Sequence, residues 1–106
     1  MDYQNITLEV QKRICTITVN RPPVNAINAQ TYEELTDAFT GINFRNDISV
    51  VIFKGAGRGF IAGNDINDIK LMTKENHHAY QDVLCGCAVS VMKCKYPVIG
   101  AIHKFA

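Results

Sequence analysis

The sequence predicts an α/β fold with a largely parallel sheet, because strand and helix patterns alternate along it. Residues 6–19 are rich in β-branched residues, and the continuous apolar runs 49–54 and 98–102 are typical of buried strands. Apolar residues recur at helical spacing after Asn28 and again over 74–93. The predicted order is therefore β-β-α-β-α-β, in one small domain or part of a larger one.

The first half of the chain carries clear start and stop signals. A polar break separates predicted hairpin strands near 6–10 and 13–19, and Pro22-Pro23 ends the second strand because proline has no N–H to donate. Asn28 is a predicted helix N-cap. The apolar face of the helix that follows consists of residues at helical spacing: Tyr32, Leu35, Phe39 and Ile42.

The second half predicts a strand, a long helix and a final strand. The run 49–54 reads as a strand covered on both faces, and the wide apolar stripe of 74–93 assigns Tyr80 and Met92 to the core. The run 98–102 again predicts a buried strand. The few residues that follow supply no neighbours for its faces and edge, so we expect the first part of a larger fold and an aggregation-prone strand.

Composition excludes several classes of partner. A net charge of +1 favours neither nucleic acid nor an anionic membrane. No apolar run approaches the ~18 residues of a membrane span. No secretory signal is visible, so we expect a cytoplasmic protein whose four cysteines are free thiols.

A cluster of two histidines and two cysteines raises the question of a metal site. On a helix, His78 and Cys85 would lie about 10 Å apart along the axis. Zinc ligands bind at ~2 Å, so no metal site is predicted, and the members of the cluster read as surface histidines and core cysteines: His77, His78, Cys85 and Cys87.

The stretch GAGRGFIAGND (55–65) admits three interpretations. The pattern Gly57-x-Gly59-x-x-Ala62 fits a dinucleotide fingerprint, but Phe60-Ile61 is a poor helix opening. GAGRG alone favours a permissive surface turn with little chemistry.

The third interpretation is an oxyanion site in the second half of that stretch. Phe60 and Ile61 should be buried and anchor the loop, while Asn64 and Asp65 open a short helical pattern. The Gly63-Asn64 amides then lie at a helix N-terminus, where they are suited to stabilising an oxyanion.

Three segments together resemble the enoyl-CoA hydratase/isomerase (crotonase) superfamily. GRGFIAGNDI is similar to the family loop F-S-A-G-x-D-[IL], and NRPPVNAIN (20–28) to N-R-P-x-x-x-N-A-[LIM]-N. KYPVIGAIHKFA (95–106) is similar to K-P-[VT]-I-A-A-[VI]-x-G-x-A. The resemblance covers nearly the whole chain and implies a crotonase-like (ClpP/crotonase) ββα spiral fold, with 1–106 as the incomplete N-terminal part of that domain.

The resemblance also implies chemistry on acyl-CoA thioesters, with coenzyme A as part of the substrate and no separate cofactor. One oxyanion donor is the backbone amide of Asn64, at the x of A-G-x-D. The acyl-CoA contacts it implies are Val24, Asn25, Ala26, Ala62, Gly63, Asn64, Asp65 and Ile66. The second donor and the acid/base carboxylates lie beyond Ala106 in the family, whose members assemble as homotrimers or hexamers.

The sequence departs from the family pattern at two positions. Pro23 stands where many members have a basic residue near the CoA phosphates, and Lys104 stands where the family usually has glycine. Arg21 is either a substitute phosphate contact or a solvated strand-end charge. Asp65 is interpreted as a helix cap that fixes the loop rather than as a catalytic acid.

Three functional hypotheses stay open. The first is that the chain is the N-terminal portion of an active family member, and the second is that it is a non-catalytic remnant that at most binds CoA or full-length subunits. A nucleotide-binding α/β domain is the third reading, and it predicts stabilisation by NAD or ATP rather than by acyl-CoA.

Overall fold

The main sheet has four strands in the order β1-β2-β4-β6 in a computed structural model that describes residues 2–57 and 59–103. Strand β1 (Ile6–Gln11) pairs antiparallel with β2 (Ile14–Val19) through a tight turn. Strands β4 (Val50–Gly55) and β6 (Val98–Ala101) then add in parallel. The predicted hairpin and the largely parallel sheet are confirmed.

Two long helices pack against each other, and the first of them also contacts the sheet. Helix α1 (Ala29–Gly41) begins as predicted, with the Asn28 side chain accepting the Thr31 N–H at 2.9 Å. It continues into a 3₁₀ turn at Ile42–Phe44. Helix α3 (His77–Met92) begins three residues later than the predicted start at 74.

A small second sheet, which the sequence did not predict, lies beside the first. Strand β3 (Ala26–Ile27) pairs in parallel with β5 (Gly63–Asn64), and the short helix α2 (Ile66–Lys70) follows β5 directly. These three elements carry most of the residues that the resemblance assigns to the site.

The core lies between the sheet and the inner face of α1. Its largest fully buried side chains come from α1 and its end, the two central strands and the segment before β4: Phe39, Ile42, Ile17, Val19, Val51 and Ile48. Cys87 is the buried residue of α3. The helix faces predicted from spacing are therefore confirmed for α1.

Glu34 lies outside the apolar spacing of α1, which favours a polar, exposed position, yet the structure buries it. Its carboxylate is buried, and Oε1 accepts the N–H groups of Gln4 and Asn5 at 3.1 and 2.9 Å. Gln30 donates to the other oxygen at 2.9 Å. A carboxylate with these donors can be buried at low cost, so Glu34 ties the N-terminal segment to α1.

Three predictions of burial are also wrong. Met92, assigned to the core, is 83% exposed, and Ile99 in the predicted buried strand is 56% exposed. Cys85, interpreted as a core cysteine, is exposed. Within the described residues, β6 is an edge strand whose partner in the sheet is β4. Tyr80 is half-buried, and β4 is only partly covered on its second face.

Among the described residues, no helix has the length and apolar character needed to cross a membrane.

Candidate functional site

The short sheet brings together the two segments to which the sequence assigned the site. Ala26 lies opposite Gly63, and Ile27 opposite Asn64. On either side of this pairing, Ala62 donates its N–H to the Val24 carbonyl at 3.1 Å and Asp65 donates to Ile27 at 2.8 Å. The predicted residues from 24–26 and 62–65 are therefore neighbours in space.

The pairing also sets the direction of the Asn64 amide. Successive residues of an extended strand direct their N–H groups to opposite sides. The Asp65 N–H points at β3, since it is bonded to Ile27. The Asn64 N–H, which directly precedes it in β5, is therefore directed away from β3, towards the side on which Asn64 is exposed. The Ala62 N–H is also bonded to the β3 segment, so the alternation is interrupted at Gly63, whose φ is 129°.

Asp65 is committed to holding the loop. It is only 8% exposed, caps α2 by accepting the Asn67 N–H at 2.7 Å, and forms an ion pair with Arg21 at 2.6 Å. The hydrogen bond from Arg21, followed by that from the Asn67 amide, lowers the pKa of Asp65 below its usual value. The interpretation as a helix cap and loop-fixing residue is confirmed.

Arg21 joins the same two segments. One nitrogen, Nη1, donates both to Asp65 and to the Ala26 carbonyl, the latter at 2.8 Å. Its interpretation as a solvated strand-end charge is wrong, because the side chain is 29% exposed and paired. A contact with CoA phosphates stays a prediction.

The Asn25 side chain holds the glycine loop by hydrogen bonds to its carbonyl groups. It is buried, with φ of 57°, and its Oδ1 accepts the Arg21 N–H at 2.8 Å. Its Nδ2 donates to three carbonyls of the loop, those of Ala56 at 2.8 Å and of Gly59 and Phe60 at 3.1 Å. The side chain is thus used inside the protein, and its predicted role towards acyl-CoA stays a prediction.

The glycines of 55–63 have different structural roles, and Gly55 allows the end of β4 to lie close to the backbone of Gly59 and Phe60. A Cβ added to Gly55 would lie 2.0 Å from the Phe60 carbonyl oxygen, whereas Gly57 adopts φ of 75° in open space. Gly57 matches the predicted permissive turn, whereas Gly55 does not; Arg58, which belongs to the same sequence stretch, lies outside the described residues. Phe60 and Ile61 are half-buried anchors, with the Phe60 ring edge-on to Phe53 at 5.3 Å.

The dinucleotide interpretation fails on local structure. Its helix must begin within the glycine motif. Here the motif runs into strand β5, and helix α2 begins only at Ile66.

The remaining predicted site residues differ in exposure. Ala62 and Gly63 are exposed, Ile66 is 66% exposed, and Val24 and Ala26 are half-buried. Lys104 lies outside the described residues. No three potential metal ligands cluster within 2–57 and 59–103, and the absence of a metal stays a prediction.

Sequence reasoning missed two contacts between α1 and the β5–α2 segment. The Tyr32 hydroxyl donates to Asn64 Oδ1, and the Ala29 N–H donates to Asp68 Oδ2 at 2.8 Å. In each of these two pairs, the partners are more than thirty residues apart in sequence. Tyr32 also matches the apolar spacing of α1, so its hydroxyl gave no separate signal. No local pattern signals such pairs.

An open, mostly apolar pocket of about 300 Å³ lies where α1, α2 and α3 meet. Its lining includes Ala29, Asp68, Leu71, Met72, Tyr80 and Val83.

Comparison with known proteins assigns the family. A family model described as enoyl-CoA hydratase/isomerase matches residues 9–106. The chain therefore belongs to the enoyl-CoA hydratase/isomerase family, within the crotonase superfamily, and the match confirms the resemblance noted from its motifs.

Individual relatives agree with this assignment. A (7aS)-7a-methyl-1,5-dioxo-2,3,5,6,7,7a-hexahydro-1H-indene-carboxyl-CoA hydrolase from Rhodococcus jostii is 39% identical over 95 residues, covering 87% of this chain and 36% of that protein. A crotonyl-CoA hydratase from Syntrophomonas wolfei is 30% identical over 108 aligned residues, covering 100% of this chain and 42% of its own length.

Solved structures confirm the crotonase-like fold. An enoyl-CoA hydratase/carnithine racemase from Magnetospirillum magneticum matches with a TM-score of 0.89 and 35% identity, over 95% of this chain and 39% of that one. The chain thus spans about two fifths of the length of the relatives it matches.

Proposed function

We propose that the protein binds acyl-CoA thioesters and polarises the thioester carbonyl with the backbone amide of Asn64. The observation that carries this proposal is the Asp65–Ile27 hydrogen bond, from which we infer that the preceding Asn64 amide points away from β3 and towards an exposed surface. A fixed N–H aimed at an oxygen on which charge develops lowers the energy of an enolate-like state, because it needs no reorganisation during the reaction.

The surroundings of the amide suit a backbone-lined groove. Ala62 and Gly63 carry little or no side chain, so a ligand can approach the main chain of β5 closely. The half-buried Val24 and Ala26, on the segment that pairs with β5, are further residues that the proposal assigns to coenzyme A. The apolar pocket between α1, α2 and α3 offers space for the acyl group.

Asp65 is not the acid or base of this proposal. A general acid or base works best with a pKa near the operating pH. Asp65 has a lowered pKa and is held by Arg21 and the Asn67 amide. By the family resemblance, the acid/base carboxylates and the second amide donor follow Ala106, so we expect these 106 residues alone to bind acyl-CoA without hydrating crotonyl-CoA.

A pair of ligands that differ only at the carbonyl tests the proposal. Butyryl-CoA carries the thioester oxygen, whereas S-butyl-CoA, a thioether, lacks it. We expect butyryl-CoA to shift the Asn64 amide proton downfield in ¹H–¹⁵N spectra of the 106-residue chain, and S-butyl-CoA to leave it in place.

Three results would contradict the proposal. Equal shifts of the Asn64 amide proton with the two ligands would show that this amide does not contact the thioester carbonyl. Thermal stabilisation by NAD or ATP but not by butyryl-CoA would favour the nucleotide-binding hypothesis. Hydration of crotonyl-CoA at ordinary enzyme rates would show that these residues carry the complete machinery. Assembly into homotrimers or hexamers stays a prediction from the resemblance.

A further inference from the structure

The Asn64 side chain is held from outside its own segment. Asn64 lies in the two-residue strand β5, and its Oδ1 accepts a hydrogen bond from the hydroxyl of Tyr32, in the first turn of α1. Asn64 and Tyr32 belong to elements that are not otherwise paired as strands or joined by a turn. The bond therefore fixes the position of Asn64 relative to α1.

This hydrogen bond between Tyr32 and Asn64, called the tether below, acts on a segment whose main chain has few other constraints. The amides of Ala62 and Asp65 are bonded to the β3 segment, but the Asn64 amide points away from it. Gly63, directly before Asn64, adopts φ of 129°, a region that glycine enters easily and leaves easily. Main-chain pairing thus limits the Gly63–Asn64 peptide on only one side.

Tyr32 is well placed to supply the missing constraint. Its helix is anchored at the same end, because Asn28 caps it and Ala29 donates to Asp68 of α2. Tyr32 is half-buried, and desolvation raises its pKa, so the hydroxyl keeps its proton well into the alkaline range. A rigid helix therefore presents a lasting donor to Asn64.

We propose that Tyr32 is a positioning residue that holds the Asn64 amide in the direction needed by the thioester oxygen, through the hydroxyl–carboxamide hydrogen bond. The proposal deepens the proposed function and rests on it for its consequence in binding. Its structural content, the immobilisation of the Asn64 peptide, can be measured without any ligand.

The first arm of the test uses the free 106-residue chain and ¹⁵N relaxation. We expect the Asn64 amide to have an order parameter near ~0.85 in the original sequence and below ~0.6 in Tyr32→Phe, the values typical of rigid and flexible backbone. Tyr3→Phe is the matched control, because Tyr3 also donates its hydroxyl to α1, to Asp37 at 2.7 Å, away from the site. It should leave Asn64 rigid.

Asn64 variants approach the same bond from the acceptor side. Asn64→Ala removes the acceptor and should loosen the amide as Tyr32→Phe does. Asn64→Asp keeps an acceptor oxygen and should preserve rigidity. These variants also decide the matter if Tyr32→Phe fails to fold, since an Asn64→Ala amide as rigid as the original overturns the proposal.

The second arm adds butyryl-CoA and S-butyl-CoA. Losing the tether should weaken butyryl-CoA binding by about two- to tenfold, the worth of one hydrogen bond, and leave S-butyl-CoA binding unchanged. An unchanged Asn64 order parameter in Tyr32→Phe overturns the positioning role even if the thioester effect is present. The absence of a thioester effect in the original sequence overturns the proposed function, while the first arm still decides the role of Tyr32.

Discussion

Replacing Gly55 by alanine tests whether the glycine loop is packed or merely permissive. The added Cβ would lie 2.0 Å from the Phe60 carbonyl oxygen, 2.6 Å from that of Gly59 and 2.8 Å from the Phe60 carbonyl carbon. Carbon–oxygen contacts seldom fall below about 3.3 Å, so the loop must retreat from the end of β4 by about 1.3 Å. All three of these atoms belong to the backbone, so no side chain can move aside instead.

That displacement breaks bonds made by Asn25. Its Nδ2 donates to the Gly59 and Phe60 carbonyls at 3.1 Å, and a retreat of this size takes both distances beyond hydrogen-bond range. Overpacking costs about 1–3 kcal/mol, and each lost hydrogen bond adds about 1 kcal/mol. We therefore expect Gly55→Ala to lower the free energy of unfolding by about 3–5 kcal/mol.

Urea unfolding followed by far-ultraviolet circular dichroism measures this loss, with two glycine controls. A Cβ on Gly41 meets nothing within 4 Å, so Gly41→Ala should change stability by about 1 kcal/mol or less. Gly57 also has open space but φ of +75°, so Gly57→Ala should cost about 1–2 kcal/mol from the backbone alone. The reasoning is refuted if Gly55→Ala unfolds at the same urea concentration as Gly41→Ala.

Three further changes have defined outcomes. Asn25→Asp turns the donor of three hydrogen bonds into an oxygen facing three carbonyls, so the free energy of unfolding should fall by about 3 kcal/mol or more; an unchanged urea midpoint would contradict this. Because the pKa of Asp65 is lowered in the folded state, its stabilisation is present above the ordinary aspartate value of about 4 and is lost as the pH falls through the lowered value. The stability difference between the original chain and Asp65→Asn should thus shrink as the pH falls below the ordinary aspartate value, and a difference that grows as the pH falls would argue against the ion pair. Ile99→Lys on the exposed β6 edge should raise the solubility of the 106-residue chain more than Phe44→Lys, at an exposed position outside the sheet; equal gains in turbidity assays would disprove an edge effect.

The elements that the sequence predicted correctly rest on local signals. The hairpin follows from two β-branched runs around a polar break, and the start of α1 follows from Asn28 three residues before the Thr31 amide that it caps. The site segments could be placed because their motifs are contiguous stretches. In each case the residues that decide the structure lie within a few positions of one another.

The errors concern what packs against what. An apolar run such as 98–102 has the same pattern whether or not a neighbour covers it, so exposure of Ile99 was not predictable from the run alone. Glu34 fits a polar face by spacing, yet two backbone amides from the N-terminal segment make its burial favourable. The pairing of β3 with β5 involves only two residues on each strand, too few for a periodic pattern.

The shortness of that pairing explains why side chains surround it. A two-residue parallel ladder is too small to be stable by itself, since isolated pairs of longer strands are already marginal. Here Arg21 bridges to Asp65, Asn25 carries the loop carbonyls, and Tyr32 holds Asn64. These bonds satisfy the groups around the Asn64 amide while leaving its N–H directed outward. A longer ladder could give the same rigidity, but a further strand on the exposed side would occupy that N–H, whereas side-chain anchoring keeps a rigid donor available to a ligand.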